Sequence, residues 1–235
     1  MIAVTSRPFA PAARRLRSVK LSGPAGRLEA VVNEASANAR YAAVICHPHP
    51  VGGGTLHNKV VYHAMKALNA PEWGLGWPVL RFNFRGTGLS QGEHDGAAEA
   101  NDVLTASLWL ENEYKVPLVV VGFSFGSAMA LSACCGNGHP AQPAMNIKAL
   151  VALGLPLRSG ARSYDYSFLQ NCTIPKLFLS GDRDQFAPKT ELIQALANAA
   201  EPKDTALVPG ADHFFNGHLK AMQSALSGWL KEYLE

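Results

Sequence analysis

Ser124 lies in the run VVVGFSFGSAMAL (119–131). An apolar segment that reads as a buried strand passes through Gly122-Phe123-Ser124-Phe125-Gly126 into small and apolar residues that read as a helix. A serine on so sharp a turn has its hydroxyl lifted clear of the sheet. The flanking glycines remove side chains where strand and helix backbones come close. The following helix turns its positive end toward a developing oxyanion, and the backbone N–H of Phe125 is the expected first donor. The competing reading is a glycine-rich turn with a structural serine. A phosphate-binding loop fits poorly, because no Lys-Ser or Lys-Thr pair follows the glycines.

A serine hydroxyl needs a neutral imidazole to take its proton, and the imidazole needs an acid to fix its tautomer. For a nucleophile on this kind of turn, the acid and then the base follow along the chain. The histidines after Ser124 are His139, His213 and His218. His213, in PGADHFF (209–215), lies between the last predicted strand and the last predicted helix and can reach the carboxyl edge of a sheet. His218 falls within the helix and His139 in a Pro/Gly-rich loop. The acid is sought in KLFLSGDRDQFAP (176–188), where Asp182 and Asp184 both follow a strand. They cannot both occupy one orienting position, and sequence chemistry barely separates them. The other could cap the turn through its own backbone.

A second oxyanion donor should come from the loop in VICHPHPVGGG (44–54). Pro48 and Pro50 have no N–H. His49 is the nearest donor and Val51 the next. His47 and His49 are two apart in a loop, His57 and His63 are not at a metal-ligand spacing from each other, and no acid lies in this stretch, so no metal is expected. His47 is read as organising the loop through hydrogen bonds.

These side chains require a scaffold that brings several loops to one edge. Segments 16–22 and 27–33 read as two antiparallel edge strands, and 42–46, 78–84, 116–122, 147–155, 174–180 and 203–208 as further strands. Helices are read over 56–69, 95–113, 125–135, 188–199 and about 216–233. Two strands followed by repeated β-α units imply an α/β protein with a mostly parallel sheet and helices on both faces. The expected organisation is an N-terminal arm over 1–15 and a single catalytic domain over 16–235, with minimal or no cap. Segment 156–173 is too short for a lid. Its Tyr164, Tyr166 and Phe168 are candidates for a substrate-binding wall, although Arg158, Arg162 and Asp165 interrupt its apolar character. Trp73 and Trp77 fall at the opposite rim and read as core or subunit contact.

Nearly half the residues (48%) are hydrophobic, enough for a sizeable core, and a net charge of +3 gives no case for nucleic acid. No apolar window is long enough to span a bilayer, and the start of the chain lacks the pattern of a secretory signal. Cys46, Cys134, Cys135 and Cys172 show no zinc or redox spacing. They are expected to be buried free thiols, which favours a cytoplasmic protein.

The combination HPHPVGGGTLHNKV (47–60), RFNFRGTGLSQG (81–92), GFSFGS (122–127), SGDRD (180–184) and GADHFF (210–215) resembles the α/β-hydrolase superfamily, in particular small lidless bacterial serine hydrolases related to the dienelactone-hydrolase group. The resemblance runs from about residue 16 to 233. It implies the α/β-hydrolase fold, and its Gly-x-x-Asp pattern matches Gly181 with Asp184 as the orienting acid. The family's His-Gly pair corresponds here to His47-Pro48, which leaves His49 as the next N–H. Dienelactone hydrolase proper uses cysteine where this chain has Ser124, which argues against dienelactones as substrate. The expected activity is therefore that of a carboxylesterase acting on small or short-acyl esters through an acyl-enzyme, without cofactor. An acyltransferase or peptidase on the same three residues, or a binding protein that keeps the fold, are the alternatives. The sequence does not distinguish a monomer from a homodimer.

Overall fold

The computed structural model describes residues 15–35, 38–136 and 145–234. Residues 1–14 of the expected arm, and His139, lie outside the described residues.

Strands β1 (Leu16–Gly23) and β2 (Gly26–Asn33) form an antiparallel hairpin. Then come β3 (Ala42–Cys46), α1 (Lys59–Asn69), β4 (Val79–Phe82), α2 (Glu99–Tyr114), β5 (Leu118–Phe123) and α3 (Phe125–Cys135). The rest is β6 (Ile147–Leu153), a two-residue pair β7 (Arg158–Ser159) and β8 (Arg162–Ser163), β9 (Lys176–Gly181), α4 (Lys189–Ala195), β10 (Lys203–Val208) and α5 (Leu219–Leu234). The main sheet has the order β1-β2-β4-β3-β5-β6-β9-β10. Only the β1/β2 and β2/β4 pairings are antiparallel.

The central strands are apolar on both faces because both faces are covered. Side chains alternate along a strand. Val44 and Val120 therefore pack with Val103, Ala106 and Leu110 of α2 and Ala128 and Leu131 of α3. Ala43, Ile45, Val119 and Val121 pack on the other face with Val60, Ala64 and Leu68 of α1 and Met222, Leu226 and Leu230 of α5. With β5 central, the turn that follows it is held between elements on all sides.

Three expectations need correction. Strand β2 is not an edge, because it also pairs with β4, so only β1 is exposed on that side. Helix α2 begins at Glu99 rather than 95, because Asp95 Oδ1 accepts from the N–H groups of Ala97 and Ala98 and holds a turn ahead of the helix. The cysteines are not all free: Cys135, the last residue of α3, is bridged to Cys172, while Cys46 and Cys134 remain thiols. A disulfide persists best in oxidising surroundings, so the cytoplasmic expectation loses its cysteine argument. Segment 156–173 carries the β7/β8 pair and a single-turn 3-10 helix over Ser167–Asn171, with nothing resembling a lid. Trp77 is buried and packs against Tyr41 with ring centroids 5.2 Å apart. Among the described residues no helix is long and apolar enough to cross a membrane.

Candidate active site

Ser124 occupies the junction between β5 and α3, with φ 55° and ψ −123°. This backbone region is costly for a residue with a side chain, on the order of 1–3 kcal/mol, and persists only where the surroundings enforce it. The enforcement is visible. The Ser124 N–H donates to Leu153 O at the end of β6 (2.9 Å), and the Ser124 carbonyl accepts from the N–H of Ser127 (2.8 Å) and the Ser127 hydroxyl (2.6 Å). The turn also depends on close backbone approach. A Cβ on Gly122 would collide with Gly126 O, and one on Gly126 with the carbonyls of Cys46 and His47.

The Ser124 hydroxyl donates to His213 Nε2 at 2.9 Å. His213 Nδ1 donates to Asp184 Oδ2 at 2.8 Å. The other oxygen of Asp184 accepts from the N–H groups of Phe186 (2.8 Å) and Ala187 (3.3 Å). Asp184 and His213 are each 2% exposed, so their mutual hydrogen bond is shielded from water. Phe123, Phe186 and Phe214 surround the imidazole with ring centroids 5.2, 4.5 and 5.1 Å away. They fix its plane while leaving Nε2 to the serine. The Nδ1–H tautomer follows from the carboxylate at that nitrogen.

The structure thus brings Ser124, His213 and Asp184 together. Asp182 is elsewhere: its Oδ1 accepts from Gly210 N–H (2.7 Å), tying the loop after β9 to the loop after β10. His218 Nδ1 lies 2.8 Å from the carbonyl of Asn216, apart from this series.

Phe125 is the first residue of α3, so its N–H has no carbonyl of its own helix to donate to. The loop after β3 reaches the same place: the His49 ring lies 4.9 Å from the Phe125 ring. His49 N-caps a short 3-10 turn. Its Nδ1 accepts from Val51 N–H (3.2 Å), so the runner-up donor Val51 is already engaged. His47 holds this loop in place. Its Nδ1 donates to Pro48 O (2.6 Å) and its Nε2 accepts from Phe84 N–H (3.0 Å), linking the ends of β3 and β4. Burial lowers the His47 pKa to about 4, so the ring is neutral, as those two bonds require.

Tyr164, Tyr166 and Phe168 line a cavity of about 210 Å³ beside α3, and neither Ser124 nor His213 lines it. Tyr166 is buried and donates its hydroxyl to Pro156 O (2.6 Å), which gives it a packing role. The sequence reading missed His94, Glu99 and Asp102, the partner of Arg85. His94 Nδ1 bonds Glu99 Oε1 (2.6 Å), and its ring lies 4.8 Å from His49. Arg85 Nη2 meets Asp102 Oδ1 at 2.7 Å in a buried pair that fastens the loop after β4 to α2. A signal existed for His94: it lies in the segment between the strand read over 78–84 and the helix read from 95. Among the described residues, no group of three His, Cys, Asp or Glu side chains could hold a metal ion.

Residues 42–231 match the model of a family described as an alpha/beta hydrolase domain. An uncharacterized protein of Rickettsia prowazekii is 34% identical over 220 residues, covering 90% of this chain and 87% of that one. Among solved structures, a lidless α/β serine hydrolase of Xanthomonas campestris superposes with a TM-score of 0.80 at 28% identity, covering 97% of this chain and 98% of that one. An alpha-beta serine hydrolase homologue of Coxiella burnetii gives a TM-score of 0.78 at 30% identity, covering 91% and 97%.

Proposed function

The chain belongs to the α/β-hydrolase family, and on that premise we propose that it is a serine carboxylesterase that cleaves short-acyl esters through an acyl-enzyme, within one catalytic domain over 16–235. The observation that carries this reading is the hydrogen-bonded series from Ser124 Oγ through His213 to Asp184, at 2.9 and 2.8 Å. In this reading Ser124 Oγ attacks the ester carbonyl while His213 Nε2 takes its proton. Asp184 keeps the imidazole in the Nδ1–H tautomer and stabilises the imidazolium as it forms. The N–H groups of Phe125 and His49 receive the oxyanion. His213 then returns the proton to the leaving alcohol, and a water activated by the same imidazole releases the acid.

A binding protein that merely retained the fold would have no use for a serine held at φ 55° against a buried histidine. The short-acyl preference rests on the chain between β6 and β9, whose hairpin and single-turn helix offer no tunnel. Turnover of p-nitrophenyl esters from acetate to decanoate by the parent and by Ser124→Ala tests both parts. Efficiency should be highest for acyl groups of about two to six carbons, since further methylenes, each worth roughly 0.8 kcal/mol if enclosed, remain in water. Ser124→Ala should be inactive throughout. Equal turnover by the variant would refute the nucleophile, and efficiency rising steadily to decanoate below micelle formation would refute the open cleft.

A further inference from the structure

Three nitrogen-bearing side chains from three different loops converge on the ring of Phe125, the residue immediately after Ser124. His49 and His94 lie 4.9 and 5.4 Å from it between ring centroids, and the guanidinium carbon of Arg162 lies 5.4 Å from its centroid. The same guanidinium is 4.8 Å from the centroid of Tyr164. Aromatic rings hold a guanidinium through its faces and leave its N–H groups, which lie in its plane, for hydrogen bonding. One of them donates to Gly96 O. Arg162 makes no ion pair with a carboxylate among the described residues. Asp165 uses both oxygens on Ser167, at 2.8 Å each. Glu99 Oε1 serves His94 and the Asp95 N–H while its buried Oε2 has no hydrogen-bond partner, and Asp95 caps the turn before α2.

Arg162 is thus a half-buried cation without an ion-pair partner among the described residues, and it sits at a cavity. The space of about 210 Å³ is lined by Arg162, Tyr164, Phe168, Ala128 and Met129 among others. Ala128 and Met129 follow Phe125 at helical spacing, so the cavity runs along the face of α3 that begins at Ser124. Burial first, and then His94 and Arg162, hold the His49 imidazole below its ordinary range against the opposing pull of the Glu99 carboxylate, which places Arg162 electrostatically beside the expected oxyanion loop. Since His49 Nδ1 accepts from Val51 N–H, a neutral His49 carries its proton on Nε2, a further donor in the same cluster.

We propose that Arg162 is a specificity-determining residue that binds a carboxylate carried by the substrate, so that the esters cleaved at Ser124 are half-esters of short dicarboxylic acids. The inference rests on the esterase reading above. A guanidinium offers two parallel N–H groups that match the two oxygens of a carboxylate. A single uncompensated cation matches a monoanion, and its position against Phe125 keeps the spacer between carboxylate and ester short.

The test compares monomethyl succinate with methyl butyrate, which differ in a terminal carboxylate against a methyl group. The parent should favour the half-ester in kcat/KM by on the order of 10- to 100-fold, the range of a charge-assisted hydrogen bond. Arg162→Gln should collapse that ratio. Arg158→Gln, in the same hairpin but exposed and paired with Glu191, should preserve it. Equal efficiency on the two esters in the parent, or an unchanged ratio in Arg162→Gln, would overturn the proposal. Calorimetric titration of succinate into Ser124→Ala protein reads the subsite without turnover. Binding that is lost when Arg162→Gln is added supports the subsite, and no binding overturns it. If neither ester is cleaved by the parent, the esterase reading fails, and the succinate titration decides the carboxylate subsite separately.

Discussion

Acid should unfold this protein partly through one histidine. His47 is fully buried, donates through Nδ1 to Pro48 O and accepts at Nε2 from Phe84 N–H. Protonation would place a second donor against the Phe84 N–H and a charge in a fully buried site. Its pKa is accordingly lowered from 6.5 to about 4 by burial. The unfolded chain therefore binds a proton that the folded chain refuses, and stability falls as pH drops from 6.5 toward 4. The full contribution is about 3 kcal/mol, present above pH 6.5, and about 2 kcal/mol of it is lost by pH 5. The lowered carboxyl groups, such as Glu34 with an ordinary value of 4.5, act in the same direction but at lower pH, which leaves the higher window to His47 and to the less buried His49, whose pKa is also lowered from 6.5. Urea unfolding at pH 8 and pH 5 measures the effect in the parent and in His47→Gln. The variant should start less stable at pH 8. Between the two pH values it should lose about 2 kcal/mol less than the parent. An identical loss in both proteins would refute the assignment of this acid sensitivity to His47.

Two further outcomes follow from the site. Asp184→Asn should lower kcat on p-nitrophenyl acetate by at least roughly 100-fold through loss of the correct tautomer, while Asp182→Asn, which keeps an acceptor oxygen for Gly210 N–H and removes only the charge, should stay within a few-fold of the parent; steady-state kinetics on both variants checks the pair. Gly126→Ala should cost about 3 kcal/mol or more in thermal or urea unfolding, because its methyl group would meet the rigid backbone carbonyls of Cys46 and His47 rather than a side chain able to move.

Much of this was legible in the chain. The apolar runs over 42–46 and 116–122 could only be strands covered on both faces, and both lie at the sheet centre. The Gly-x-Ser-x-Gly turn carried its own strand and helix, so Ser124 needed no tertiary information. Asp182 and Asp184 are chemically identical, so their residue types alone did not separate them; the Gly-x-x-Asp pattern of the resemblance favoured Asp184, and the arrival of His213 from a loop after β10 places the hydrogen bond on it. The Cys135–Cys172 bridge spans 37 residues and left no local trace, because each cysteine sits in a stretch that reads as ordinary core. The cluster of His49, His94 and Arg162 was hidden for the same reason: three loops meet at one phenylalanine, and nothing in any one of them refers to the others.

The central claim is that Ser124 is a nucleophile activated by His213. Mass spectrometry of the protein after treatment with a fluorophosphonate tests it most directly. The account predicts one adduct, mapped to the peptide containing Ser124, formed by the parent, abolished in Ser124→Ala and slowed strongly in His213→Ala. No adduct on the folded parent, or labelling that persists in Ser124→Ala at the parent's rate, would contradict it.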